Sequence, residues 1–318
     1  AGGACRAGNI YNLLQRVLYR MVEQGQQEYA QIPVISLNLM GEEKHTGFRI
    51  TPSLLSGGIA AGCYGDLIMC LYQQVKPYEQ NPGETDRIRS QVEKETVREH
   101  SETQERTAHQ REELPVCLRS IFEGTGETRE KKRVGITGEI YMKYSKLGND
   151  DIESFLLRQG MEPYSGGFVN YCLYLVDTER YKAEKYQHNP IMAKACAFVL
   201  HRLCEAQKHL LTVIGETDRF QTDLPFPELK EKVQGILAEG CNTGDGWLIA
   251  AEVIQYVEKG CGSVLILHPF GCLVSHVCER GILQRLHARF PDVSIQTIEY
   301  DYDQSKTLRE SRILLAIS

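Results

Sequence analysis

The fold is read first from Ser263-Val-Leu-Ile-Leu267-His-Pro-Phe-Gly-Cys272-Leu-Val-Ser-His276. Its lead-in, 263–267, is a short β-type apolar run; a Pro, a Gly and a thiol follow, and then a helical pattern begins. A strand that ends in a loop and feeds a helix is the building unit of an α/β protein with a parallel sheet. Ligands of such sheets bind beyond the carboxyl ends of the strands, so Cys272 is expected to face a ligand or cofactor rather than the core.

The same alternation covers 133–318. Residues 134–138 read as a strand that runs into Glu139-Ile-Tyr141, and Asn149-Asp150-Asp151 opens a helix ending at Gln159-Gly160. Residues 168–176 read as a strand, and helices are expected over 190–211 and 227–239. The loop Cys241-Asn-Thr-Gly244-Asp245-Gly246-Trp247 turns into a helix that closes at Lys259-Gly260. A helix to 290, a strand over 293–298 and a last helix from 304 complete the alternation. Repeated β-loop-α units imply right-handed crossovers and helices on both faces of the sheet.

Upstream, 1–82 reads as a partial α/β segment, the end of an upstream domain. It has a helix carrying Ile10, Leu13, Leu14, Val17, Leu18 and Met21, a buried strand over 32–37, and a second helix over 53–74. Residues 83–132 form a charged helical connector: nine acidic and six basic residues over 83–114, with no Pro and little Gly, favour a solvated helix over a disordered linker. Residues 133–318 are then the main α/β domain.

With 318 residues, 42% apolar and 25% charged, the chain has the composition of a soluble globular protein of about two domains. A net charge of -6 argues against a nucleic-acid or anionic-membrane surface. No apolar run approaches the ~18 residues of a membrane span, and no leader opens the chain, so a cytoplasmic location is expected. The sequence starts at Ala1 inside an apparent motif, which suggests a piece of a longer polypeptide.

Eleven cysteines in a reducing compartment point to buried apolar groups, redox groups or metal ligands rather than disulfides. No CxxC occurs, so any metal cluster must gather ligands from distant loops. Cys272, at a strand-to-helix turn beside Gly271, gains from the helix N-terminus as a thiolate. Cys5 repeats that arrangement, and Arg6 could pair with an anion or an anionic cluster. Cys241 opens the Gly244-Asp-Gly246 loop as a second-tier ligand, with Cys278 and a surface-leaning Cys261 behind it. Cys63 and Cys70 share a helix face and, like Cys117, Cys172, Cys196 and Cys204, read as packing residues.

His268 and His276 flank Cys272, but their spacing fits no common zinc pattern, and His276 reads as a helix-capping or hydrogen-bonding residue near the ligands. Asp303 and Gln304 fall at the carboxyl end of the last strand, within reach of the same crevice. Arg309 and Arg312 either cap carbonyls or pair with acids. Gly135-Ile-Thr-Gly138 and Gly244-Asp-Gly246 match no nucleotide motif.

Gly3-Ala-Cys5-Arg6-Ala-Gly8-Asn9, Tyr64-Gly-Asp66, Lys76-Pro-Tyr78-Glu79, Gly138-Glu139-Ile, Gly244-Asp-Gly246-Trp, Pro269-Phe-Gly-Cys272-Leu and Asp301-Tyr-Asp303 follow one another in a characteristic order. In this the chain resembles the C-terminal region of acyl-CoA dehydratase activase-related proteins, relatives of 2-hydroxyacyl-CoA dehydratases and double-cubane cluster proteins. The resemblance implies flavodoxin-like domains, an oxygen-sensitive iron-sulfur cluster (4Fe-4S or double-cubane) and an ATP-hydrolysing activator or upstream domain that supplies low-potential electrons. A CoA thioester is the implied substrate. Cys5 and Cys272 match the family's cluster cysteines, while Asp303, Gln304 and Arg312 match its C-terminal structural or pocket-lining residues. Val274 stands where the family pattern has Pro, and Gln304-Ser305 where it has Pro-Gly.

Overall fold

Four strands, β1 (Arg133–Gly138), β2 (Glu162–Tyr164), β3 (Ser263–Pro269) and β4 (Ser294–Tyr300), form one all-parallel sheet in the order β2-β1-β3-β4. The structure, a computed structural model, describes residues 6–32, 34, 52–102, 131–216 and 219–318. It divides into two compact units, Ala1–Gly57 and Gly58–Ser318. The first contains α1 (Arg6–Glu23), the helix expected from the Ile10-to-Met21 pattern. The strand expected over 32–37 lies almost wholly outside the described residues.

β3 is the spine of the sheet. Val264, Leu265, Ile266 and Leu267 are fully buried, as an interior parallel strand with both faces covered requires. Its pleat sends Leu265 and Leu267 to one face, where they join Val134, Ile136, Ile298 and residues of α4 (Ile140–Tyr144), α5 (Ile152–Arg158) and α11 (Lys306–Ile317). Val264 and Ile266 point the other way, into a larger cluster with α6 (Phe168–Lys185), α8 (Phe226–Glu231), α9 (Gly246–Glu258) and α10 (Arg280–Arg289). Burial on both sides is the α/β, flavodoxin-like architecture read from the sequence.

α9 is the innermost helix. Every residue from Gly246 to Tyr256 is buried, which its nearly all-apolar sequence allows. It lies so close to β1 that a Cβ on Gly135 would sit 2.7 Å from Tyr256 Cδ2, so only glycine fits at that point of the strand. An ion pair fixes the same contact: Lys143 Nζ of α4 lies 2.9 Å from Glu252 Oε1 of α9, and Thr137 of β1 donates to Glu252 Oε2 at 2.5 Å. Both charged side chains are almost wholly dry.

α2 (Pro52–Val75) packs Leu67, Leu71 and Val75 against Val92 of α3 (Glu84–Glu102), Ile214 of α7 (Pro190–Gly215) and Phe220. Asp66 of α2 also accepts the N–H groups of Phe168 (2.8 Å) and Val169 (2.7 Å), so it supplies the N-terminal cap that Gly167 cannot give α6. α3 is charged on its outer face, as expected, yet buries Val92 and Thr96. The unit that holds the sheet therefore extends upstream to Gly58, ahead of the expected boundaries at 82 and 132. Residues 103–130 lie outside the described residues. No described helix is long and apolar enough to cross a membrane.

Three elements differ from the sequence expectation. Residues 168–176, read as a strand from their aromatic and branched content, form the start of α6, whose buried positions 170, 173, 174 and 177 follow helical spacing. The distant Asp66 cap and the packing against α7 override local preference. β2 was hidden by its length and by Pro163, which an edge strand tolerates because one side of its backbone needs no partner. The helix expected over 227–239 stops at Glu231 and continues as turns, with Gly235 at φ +78°.

Lys143→Met would leave Glu252 buried and unpaired, at an expected cost of about 3–5 kcal/mol in urea unfolding, whereas Lys143→Met with Glu252→Leu should lose clearly less.

Candidate functional site

β1 and β3 are neighbours, yet their following chains leave on opposite faces: α4 and α5 on one, α10 on the other. This is a topological switch point, where open α/β sheets hold their ligands beyond the carboxyl ends of the strands. Three loops line that carboxyl edge. After β1, Glu139 N–H donates to Leu267 O at 2.8 Å, and the Glu139 side chain caps α4 through Met142 N–H at 3.1 Å. The second loop, 241–246, folds back so that Trp247 N–H reaches Cys241 O at 2.9 Å. A Cβ on Gly246 would sit 2.1 Å from that carbonyl, so the start of α9 tolerates only glycine.

The third loop follows β3. Cys272 N–H donates to Pro269 O at 3.2 Å and closes a tight turn with Gly271 at φ +70°. Ser275 Oγ donates to Cys272 Sγ at 3.1 Å. The next turn, Ser275–Glu279, is a π-helix in which Arg280 N–H reaches Ser275 O. Such widened turns are rare and collect at functional sites. His276 belongs to this turn; its Nδ1 lies 2.7 Å from Cys272 O.

This edge is acidic. Glu279 is fully buried, and the Ser275 hydroxyl is within reach of both its carboxyl and Cys272 Sγ. Burial, opposed by the Ser275 hydroxyl and Arg280 and reinforced by Asp245 and Glu139, pushes its pKa up to about 8. Burial likewise lifts Asp245 to about 7, with Glu139 and Glu252 adding to the rise and the Ile140 N–H and Lys143 opposing it. At neutral pH Glu279 is therefore mainly a proton-holding acid. Asn242 Nδ2, on the loop of Asp245, is buried without a hydrogen-bond partner among the described residues.

The structure brings three thiols to this edge. Cys272 is buried, Cys241 and Cys278 are half-buried, and the Cys278 thiol is raised by burial first and then by Cys241, Glu279 and Cys272. Cys5 lies outside the described residues, and only the backbone of Arg6, at the start of α1, is described. Asp303 is exposed; Gln304 closes a turn through its N–H to Asp301 O at 3.2 Å. Arg312 is exposed and reaches Thr297 O in the middle of β4 at 3.4 Å, away from the strand end. Arg309 binds Asp150 and stacks over Tyr300. Cys261 is buried rather than surface-leaning, and its thiol is pushed up to about 12 by burial. Cys63 and Cys70 pack in apolar clusters, their thiols raised to about 11 and about 12.

Sequence reading passed over Glu279 and Glu299. The first falls seven residues after Cys272 and four after Ser275, a spacing that places it on the same helical face. The second shares the strand face of Ile295 and Thr297. Glu299 Oε2 stands 3.4 Å from His276 Nε2 and 3.9 Å from His268 Nδ1. Comparison with family models, curated proteins and solved structures finds no match.

The raised acids fix the sign of the pH response. A carboxyl protonated in the folded state and ionised in the unfolded one stabilises fully below the unfolded pKa, and that stability is lost as pH climbs to the folded value. For Glu279 the window runs from about 4.5 to about 8. Glu279→Gln should therefore flatten the loss of urea stability between pH 5 and pH 9, leaving the variant ahead of wild type at pH 9.

Proposed function

We propose that the chain is an iron-sulfur cluster-binding redox module of an ATP-dependent, low-potential electron-transfer system related to the 2-hydroxyacyl-CoA dehydratases. The observation that carries this reading is the gathering of Cys241, Cys272 and Cys278 from two loops at the β1/β3 switch point. The donor set is partial: three thiols stand against the four a cubane cluster takes, so at least one further ligand must come from elsewhere. Cys241 and Cys272 are near enough to raise the Cys278 thiol, and a hydroxyl already donates to the Cys272 sulfur, the kind of contact that tunes a thiolate ligand. Cys272 and Cys241 were expected ligands; Cys278 joins them through the π-turn.

Bound there, a cluster would supply one-electron chemistry at low potential. The chain's own residues do the rest. Cys272, Cys241 and Cys278 hold it as thiolates, releasing their protons as they bind. Ser275 orients Cys272 through its hydrogen bond. Glu279, beside the thiols, holds a proton that offsets negative charge arriving there. The acidic surroundings disfavour added electrons, which suits a strongly reducing centre. An ATP-hydrolysing activator is the proposed electron donor, and an acyl-CoA the proposed substrate.

Anaerobic reconstitution with iron and sulfide tests this. Wild type is expected to retain both, with a broad absorption near ~400 nm from a thiolate-ligated cluster; Cys272→Ala is expected to lose most of the iron. Iron content unchanged in Cys272→Ala would sink the assignment, and no iron in wild type would favour a non-redox binding or scaffold domain.

A further inference from the structure

We infer that His268, His276 and Glu299 form a mononuclear site for a divalent transition-metal ion of the zinc type, separate from the thiol edge. One ligand atom from each lies within 4.8 Å of the others, a grouping of three that no other set of His, Cys, Asp or Glu reaches among the described residues. The sheet itself sets two of them. β3 and β4 pair in register with His268 opposite Glu299, so both side chains leave the same face. His276 swings over them from the π-turn, its ring 5.3 Å from that of His268.

The distances suit a tetrahedral ion. Ligands about 2.0–2.1 Å from zinc stand roughly 3.4 Å from one another, against 3.4 Å for His276 Nε2 to Glu299 and 3.9 Å for His268 Nδ1 to Glu299. The tautomer of His276 is equally specific. Its Nδ1 lies 2.7 Å from Cys272 O, a contact that needs a proton on Nδ1. In the neutral ring Nε2 then carries a lone pair aimed at a carboxylate oxygen, and two acceptors at that distance require a cation or proton between them. A backbone carbonyl holding the second nitrogen is the usual support of a metal-binding histidine.

His268 adds a second, independent sign. It is fully buried, Nε2 has no hydrogen-bond partner among the described residues, and Nδ1 has only a long 3.4 Å contact with its neighbour's carbonyl. Buried imidazoles are normally well hydrogen-bonded, and so long a contact leaves Nδ1, the nitrogen 3.9 Å from Glu299, able to take an ion in place of the carbonyl. Arg280 Nη2, 3.1 Å from Glu299 Oε2, is the competing cation, but its side chain is 47% exposed and free to swing out. His276 and Glu299 are 34% and 22% exposed, which leaves an open side for a water as fourth ligand. Two histidines, one carboxylate and an open position form a ligand set that zinc uses in catalysis.

The test uses the full chain, stripped with a chelator and titrated with zinc alone. X-ray absorption should show imidazole and oxygen at about 2.0–2.1 Å, without a sulfur shell at about 2.3 Å. His276→Ala and Glu299→Gln, which change partly exposed side chains, should each weaken zinc binding at least tenfold by calorimetry while unfolding midpoints in urea stay near wild type. Arg280→Gln should strengthen it by freeing the carboxylate. A sulfur shell, unchanged affinity in both variants, or no zinc bound would overturn the proposal; the last would leave His276, Glu299 and Arg280 as a proton-held ion network. Iron retention through Cys272 is read separately, so either result stands without the other.

Discussion

The Lys143–Glu252 pair, with the Thr137 hydroxyl on the second carboxylate oxygen, is the contact from which the arrangement of the carboxyl edge follows. It ties the carboxyl end of β1 to α4 on one side and to α9 on the other, through side chains almost out of water. Charges so buried are held only while all partners stay in place, so the three elements have one relative position. Gly135 lets α9 come close enough to β1 for that contact. The 241–246 loop, which opens α9, is thereby set against the loop after β3: a Cβ on Gly244 would meet Val274 at 2.9 Å.

An edge so fixed gathers groups that would repel one another in a looser structure. Burial raises the pKa of Asp245 and Glu279; Glu139 adds to the rise at both, and Asp245 adds to it at Glu279. Protons rather than cations relieve much of that strain on the α9 side. On the β4 side the balance differs, since Arg280 and two imidazoles meet a single carboxylate, Glu299. Cys272 stands between the two environments: Ser275 touches its sulfur, and His276 its carbonyl. The thiol-cluster reading and the histidine-site reading thus draw on different atoms of one loop.

Much of this was legible in the sequence because it is written locally. The 263–267 run, the Pro-Phe-Gly-Cys turn and the Gly-Asp-Gly loop announced β3 and the start of α9, and Cys272 and Cys241 were placed at the crevice from those patterns. What stayed hidden depends on distant partners. Phe168-Val-Asn-Tyr is helical because Asp66, a hundred residues upstream, caps it. Glu299 gains its meaning from strand register with His268, which no spacing along the chain reveals. Cys278, already a lesser candidate from its place six residues after Cys272, lies on a π-turn that breaks the usual helical period. Arg312 looked like a crevice residue by its position after β4, but its side chain turns back to the strand's middle.

The central claim, that loops from two parts of the chain make one thiol-lined metal site, is met most directly by differential alkylation read by mass spectrometry, before and after anaerobic reconstitution. The account predicts that Cys241, Cys272 and Cys278 become protected together, while half-buried Cys196 on α7 keeps its reactivity. Unchanged labelling of the three thiols in protein that has taken up iron would contradict it.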